Sequence, residues 1–281
     1  MHDNNQYMIP VSVRATTVED IFYPGDPIRL EAAVRGLLEA SPVVPEGASA
    51  LLVPHAALEY AGNVIAAAMK AASDRRIERV VVLAPVHRDP PEGFVLPESH
   101  FFQCPLGDVE IDRVGVDELL GCGTVFTRND IPHLEEHSIE ILLPFLRHMF
   151  PEARLVPILT GGAGKRAVVA LARALELCFG SESDRTLFVA SANVASSFPR
   201  GRGTAEEADR LLELVAGRRW EDILDQTDRG MLSCCGARAL ASLLAFGTIA
   251  SCARVLSRSS SADESGERVV HYAAVSFGAG R

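Results

Sequence analysis

Apolar and polar positions along this chain follow two different periods. Short apolar runs closed by turn residues occur at 50–53, 79–83, 155–159 and 186–190. Continuous apolarity without alternation predicts strands buried on both faces, as in a parallel sheet. Between them lie segments with a helical period. Residues 28–38 carry Leu30, Val34 and Leu37-Leu38 on one side, and Asp26-Pro27 supplies an N-cap and a first-turn proline. Residues 64–72, after a turn expected at Gly62, and 116–120 read as further helices. Residues 135–149 do too, with the stripe Ile139, Leu142, Leu143 and Leu146. So do 166–179, 205–215, 220–224 and 236–245. Val95, Phe101 and Phe102 mark short strands within the loop-rich stretch 88–108. Strands are expected at 251–257 and 269–277, joined by a mobile polar linker over 257–268.

Strands alternating with helices predict an α/β fold with a central, mixed, largely parallel sheet flanked by helices. Strand 50–53, helix 64–72 and strand 79–83 form a βαβ unit, so a parallel, right-handed pairing of the two strands is expected. Neither a tandem repeat nor a shift in composition divides the chain, so residues 1–281 are expected to form a single domain.

The totals narrow the function classes. With 281 residues, 48% hydrophobic and 23% charged, the chain can bury a substantial core. A net charge of −10 argues against nucleic acid as the partner, because phosphate binding needs a basic face. Apolar runs fall short of the roughly 18 to 20 residues of a membrane span. Residues 1–13 are polar and lack an apolar leader core. A cytoplasmic location without membrane attachment is the expectation. The six cysteines contain no C-x-x-C pair and are expected to be mostly buried thiols rather than a disulfide framework.

Candidate chemistry starts with two strands that each end in a proline and a histidine: Val53-Pro54-His55 and Pro85-Val86-His87. Open α/β sheets build their sites outside the carboxyl ends of strands. A single histidine there is more often a satisfied loop residue, but the repeat points to two converging imidazoles, whose natural use is metal binding. His133-Leu134-Glu135-Glu136-His137 is superficially similar to H-E-x-x-H, but Leu134 occupies the position of the essential glutamate. Its acids also suit a plain helix start. Glu140 follows His137 by three residues, so one helix would present both on the same side. Cys234-Cys235-Gly236 opens a helix, where the dipole favours a thiolate as ligand or nucleophile, although buried thiols are commoner. Ser191-Ala192-Asn193 reads alone as a turn or cap, and Gly161-Gly162-Ala163-Gly164-Lys165 lacks phosphate-loop spacing.

Together these stretches resemble the MEMO family, the group that includes protein B of the AmmeMemoRadiSam system. That family is similar in fold to the LigB-type class III extradiol dioxygenases. The family's P-H-A-G-Y-x-Y-x-G is similar to Pro54-His55-Ala56-Ala57-Leu58-Glu59-Tyr60-Ala61-Gly62. G-P-S-H-H resembles Ala84-Pro85-Val86-His87-Arg88. E-H-S-I-E-x-x-L-P is present as Glu136-His137-Ser138-Ile139-Glu140-Ile141-Leu142-Leu143-Pro144, and C-G as Cys235-Gly236. Further matches are Cys104-Pro105-Leu106-Gly107-Asp108 with Ile111-Asp112, Pro157 to Gly161, and His271 to Val275. The resemblance covers residues 14–278, in order.

The resemblance implies a LigB-like domain with His55, His87 and Cys235 as ligands of iron or copper, zinc being a further fit to the donor set. It implies that His137 and Glu140 line the same cleft as acid/base or supporting groups, with Tyr60 nearby. Departures accompany it. Where the family reads S-S-D-F-x-H, this chain has Ser191-Ala192-Asn193-Val194-Ala195-Ser196, so Asn193 replaces the acid and Ser196 the histidine. Neither titrates near neutral pH. Arg88 in place of the second histidine adds a fixed positive charge for an anionic ligand. The expectation is a metal-binding protein with redox or oxygen chemistry at a His/His/Cys site. The alternatives are a binding module that holds a small molecule or phosphotyrosine peptide without turnover, and an active ring-cleaving dioxygenase using His137 as base.

Overall fold

The computed structural model describes residues 12–197, 204–249, 252–262 and 269–278. In chain order the elements are β1 (Val13–Arg14), α1 (Pro27–Ala40), β2 (Ala50–Val53), α2 (Leu58–Lys70), β3 (Arg79–Pro85), β4 (Phe94–Leu96), β5 (Phe101–Phe102) and β6 (Val109–Glu110). They continue with α3 (Arg113–Gly121), β7 (Phe126–Arg128), α4 (Asp130–Glu135), α5 (Leu143–Met149), β8 (Arg154–Thr160), α6 (Lys165–Phe179), β9 (Thr186–Ser191) and β10 (Ala195–Ser196). The last are α7 (Ala205–Ala216), α8 (Trp220–Asp228), α9 (Ala237–Ala245), β11 (Cys252–Ala262) and β12 (Val269–Gly278).

Among the described residues, nine strands form one mixed sheet in the order β10-β12-β2-β9-β3-β8-β4-β7, with β11 also paired to β12. Strands β2, β9, β3 and β8 are mutually parallel neighbours at its centre. Their residues are almost all buried, as the unbroken apolar runs require of a sheet covered on both faces. A small second sheet, β1-β5-β6, packs at the side. The result is the expected α/β domain with a mixed sheet flanked by helices.

Several local expectations are corrected. β2 and β3 are parallel but not neighbours: β9 lies between them. Local sequence fixes the direction of a βαβ crossover but not which distant strand fills the gap. Helix α2 begins at Leu58, so Gly62 lies within it rather than in a turn, packed against Leu37. The single helix expected over 135–149 is broken. α4 ends at Glu135, Glu136 is extended, and helical backbone resumes with a short 3-10 turn at Glu140–Leu142 before α5. The break occurs because the Glu136 carboxylate, not a helical carbonyl, accepts the N–H groups of His137 and Ser138 at 2.8 and 2.9 Å. Residues 257–262 of the expected linker are strand, paired with 269–274 of β12. The remainder of that linker, like most of the polar leader at 1–13, lies outside the described residues.

The Gly161-Gly162 turn is a packing device. A Cβ at Gly161 would sit 1.8 Å from the Pro91 carbonyl oxygen. The two N–H groups donate to Gly93 and Pro91 at 2.9 and 2.8 Å, so they are already spent.

Candidate metal centre

The carboxyl ends of β2, β9 and β3 lie side by side, with Val53 opposite Ser191 and Leu83 opposite Ala190. His55 leaves β2, His87 follows β3, Ser191 ends β9 and Asn193 follows it. Two further segments reach the same place: the extended break after α4 brings His137, and the turn before α9 brings Cys235. His55, His87 and His137 each offer a ring nitrogen, and the three nitrogens lie within 4.8 Å of one another. Such a group could hold a metal ion. The His87 and His137 rings stack at 4.9 Å, and His55 stands edge-on to both at 5.2 and 5.7 Å. Cys235 Sγ lies 3.1 Å from His55 Nε2.

Two of the imidazoles are oriented from behind. Ser191 Oγ donates its only hydrogen to the Ser138 carbonyl at 2.7 Å and lies 2.8 Å from His55 Nδ1. The hydroxyl can therefore only accept from Nδ1–H, and Nε2 is the ring nitrogen that faces Cys235. His87 Nδ1 lies 3.0 Å from each oxygen of Glu136, whose carboxylate also accepts the His87 backbone N–H at 2.7 Å. Glu136 Oε1 is 3.1 Å from His137 Nδ1 as well.

The electrostatics follow from this packing. Burial alone would push the Glu136 carboxyl up, but its hydrogen bonds and charge pairing with His87 and His137 hold it down at about 2. Burial pulls His87 down, but hydrogen bonds to Cys235 and Glu136 outweigh it and raise the ring to about 10. The Cys235 thiol is pushed up by burial and then brought down to about 5 by His55 and His87. His137 is lowered to about 4, first by burial and then by the neighbouring imidazole His55. The Cys235 thiol is thus biased toward thiolate, and with the Glu136 carboxylate it favours the protonated form of His87. The thiolate is the form a transition metal selects, whereas a metal ligated by His87 would have to displace that ring's proton.

The other predicted residues occupy varied places. Asn193 Oδ1 accepts the His55 backbone N–H at 3.1 Å, and its own backbone N–H donates to Cys235 Sγ at 3.2 Å. It fixes two members of the cluster through their supports. Glu140 turns away from the imidazoles into the core. There it meets Arg14 at 2.5 Å, the Tyr23 hydroxyl at 2.7 Å, and the N–H groups of Thr17 and Val18. Arg14 also donates to the carbonyls of His133 and Glu136 at 2.8 and 2.7 Å. This buried network clamps the loop that carries His137. Arg88 is exposed next to His87 and makes no hydrogen bond or ion pair among the described residues. Tyr60 is 51% exposed on the first turn of α2. His133 is wholly buried against Phe102 and bonds to the Val95 carbonyl at 3.2 Å, so it does not join His137.

Sequence reasoning undervalued three residues. Glu136 read as a helix-start acid, Ser191 as a turn residue, and Arg14 was not singled out. Gly236 carried a usable signal. A Cβ there would lie 2.4 Å from the Ser191 carbonyl oxygen and 2.5 Å from the Ala192 Cβ, so only glycine lets the turn bring Cys235 against β9.

Three relatives are each 28% identical to this chain over 94% of its length. They are MEMO1 family proteins of Methanosarcina barkeri, Ignicoccus hospitalis and Methanopyrus kandleri, covered over 99%, 98% and 98% of their own lengths. An uncharacterized protein from Escherichia coli K12 superposes with a TM-score of 0.47 at 14% identity, over 82% of this chain and 99% of that one. The model of the Memo-like protein family matches residues 14–276, and the chain belongs to that family.

Proposed function

We propose that this protein binds a redox-active transition metal, iron or copper, through His55, His87 and Cys235. His137 lies at the same centre as a further ligand or as a neutral proton acceptor. The observation that carries this reading is the pair of supports on Nδ1. Ser191 and Glu136 each occupy the outer nitrogen of one ring and so turn the inner nitrogens of His55 and His87 toward Cys235. Metal-ligating histidines almost always carry such a support on the nitrogen that faces away from the metal. Two imidazoles and a thiolate suit iron, copper or zinc. Such a metal would supply one-electron or oxygen chemistry at a site reached from solvent past His87, whose side chain is 34% exposed.

The chain's own residues divide the remaining work. Asn193 holds His55 and Cys235 in place and cannot accept a proton. Arg88 offers its guanidinium to an anionic group entering beside His87. With Asn193 and Ser196 at the positions of the family's acid and histidine, a second reading gains support: the centre holds a small acid or phosphotyrosine peptide without turnover.

Metal analysis of protein purified without an affinity tag, beside Cys235→Ala, tests the proposal. Near-stoichiometric iron or copper that falls severalfold in the variant is the expected result. Absence of metal from both would overturn it. Saturable binding of catechols or phosphotyrosine peptides without product would favour the second reading, and a ring-opened product would exclude it.

A further inference from the structure

A pair of sulfurs lies outside this cluster and belongs to other elements. Cys122 caps the C-terminus of α3, and Cys178 is the penultimate residue of α6. Their Sγ atoms are 3.6 Å apart, in direct contact, although 56 positions separate them in the chain. Both side chains are only partly buried, so a small oxidant can reach them. The other cysteines are differently placed. Cys104 and Cys234 are buried, Cys252 is exposed at the start of an edge strand, and Cys235 belongs to the candidate centre.

The scaffold holds the two sulfurs together. Gly115 on α3 packs so closely on Phe179 of α6 that a Cβ there would fall 3.0 Å from the ring. The Arg79 guanidinium lies over the Phe179 ring, 4.9 Å from its centroid. Arg79 is tied to Asp112 at the start of α3 and to Glu182 just beyond α6. One arginine therefore ties the start of α3 to the segment just beyond α6. A disulfide needs the sulfurs at about 2.05 Å. The remaining gap is about 1.5 Å, and rotation about the side-chain bonds is the motion that would close it.

We propose that Cys122 and Cys178 form a reversible dithiol–disulfide pair, oxidised by hydroperoxides, that staples α3 to α6. Burial and the contact with Cys122 push the Cys178 thiol up to about 12, so the first attack falls to Cys122. Cys122 loses its proton and forms an S–O bond with the peroxide as the O–O bond breaks and the alcohol or water leaves. The second sulfur then attacks the sulfenic sulfur, forming the S–S bond as S–O breaks and water leaves. The two sulfurs together lose two electrons, which reduce the hydroperoxide to an alcohol and water. A thiol reductant reverses the change. Pairing also spares either sulfur from irreversible over-oxidation.

The test uses the full chain treated with hydrogen peroxide, followed by non-reducing peptide mapping and thermal melting. The expected result is a cross-linked peptide joining Cys122 to Cys178, and a melting temperature raised by about 5 to 10 °C, since a long loop is closed. Dithiothreitol should reverse both, and Cys122→Ser and Cys178→Ala should each abolish both. Sulfenic or sulfinic acid on either residue without a cross-link would overturn the proposal. A cross-link of either residue to a different cysteine would do the same. Should one variant fail to fold, the peptide map of the unmodified chain still decides between these outcomes.

Discussion

Nδ1 of His87 lies 3.0 Å from both oxygens of Glu136, and the same carboxylate accepts three backbone N–H groups, those of His87, His137 and Ser138. One acid therefore fixes two imidazole-bearing segments and carries the negative charge behind His87. Glu136→Gln keeps the shape but turns an NH2 group toward at least one of these donors. Metal affinity should fall by about 10- to 100-fold, the usual effect of losing such a support. Metal titration followed by isothermal calorimetry measures it. An unchanged affinity would remove Glu136 from the centre.

Ser191 does for His55 what Glu136 does for His87, but as a neutral hydroxyl. Ser191→Ala leaves His55 free to carry its proton on Nε2, the atom facing Cys235, and also orphans the Ser138 carbonyl. We expect about a tenfold loss of metal affinity, with a smaller change in stability, about 1 kcal/mol for the lost hydrogen bond. Paired metal titration and urea unfolding separate the two effects. A loss of stability without loss of affinity would make Ser191 a packing residue only.

Glu140 belongs to the fold rather than to proton transfer at the imidazoles. Glu140→Ala strands the buried Arg14, and removing one partner of a buried ion pair typically costs about 3 to 5 kcal/mol. The urea midpoint should drop accordingly. Replacing Arg14 and Glu140 together by apolar residues of similar size should recover part of the loss. A Glu140→Ala protein as stable as the parent would contradict the clamp.

Acid should destabilise the protein through His133. Burial lowers this ring to about 3 in the folded chain, whereas an unfolded histidine takes up its proton near 6.5. Protons therefore bind the unfolded state preferentially below that pH. The stability contributed by neutral His133 is full above about pH 6.5 and is lost as pH falls toward 3. His137, at about 4, acts in the same direction, and His87, held at about 10, acts in the opposite one. Stability at pH 5 should be lower than at pH 7.5 by about 2 kcal/mol from His133 alone. Urea midpoints at the two pH values check this, and a stability that rises on acidification would exclude it.

Much of this protein was legible without a structure, for identifiable reasons. Apolar runs at 50–53, 80–83, 155–159 and 187–190 predict strands covered on both faces, and each lies in a central parallel strand. Proline followed by histidine at two strand ends marked where imidazoles would emerge. Motif order was enough to place the chain in its family. These are properties of a residue and its near neighbours, and local sequence determines them.

Tertiary structure alone decided how the centre is held. That β9 lies between β2 and β3, delivering Ser191 behind His55, depends on pairings more than a hundred residues apart. That 135–149 breaks at Glu136 contradicts its own helical period. The carboxylate gains more from His87, a distant strand end, and from the N–H groups of 137 and 138 than a continuous helix would give it. That Glu140 faces Arg14 rather than His137 depends on a buried cation from the start of the chain. Each outcome is a competition between a local preference and a remote partner, and the remote partner becomes visible only when the chain is folded.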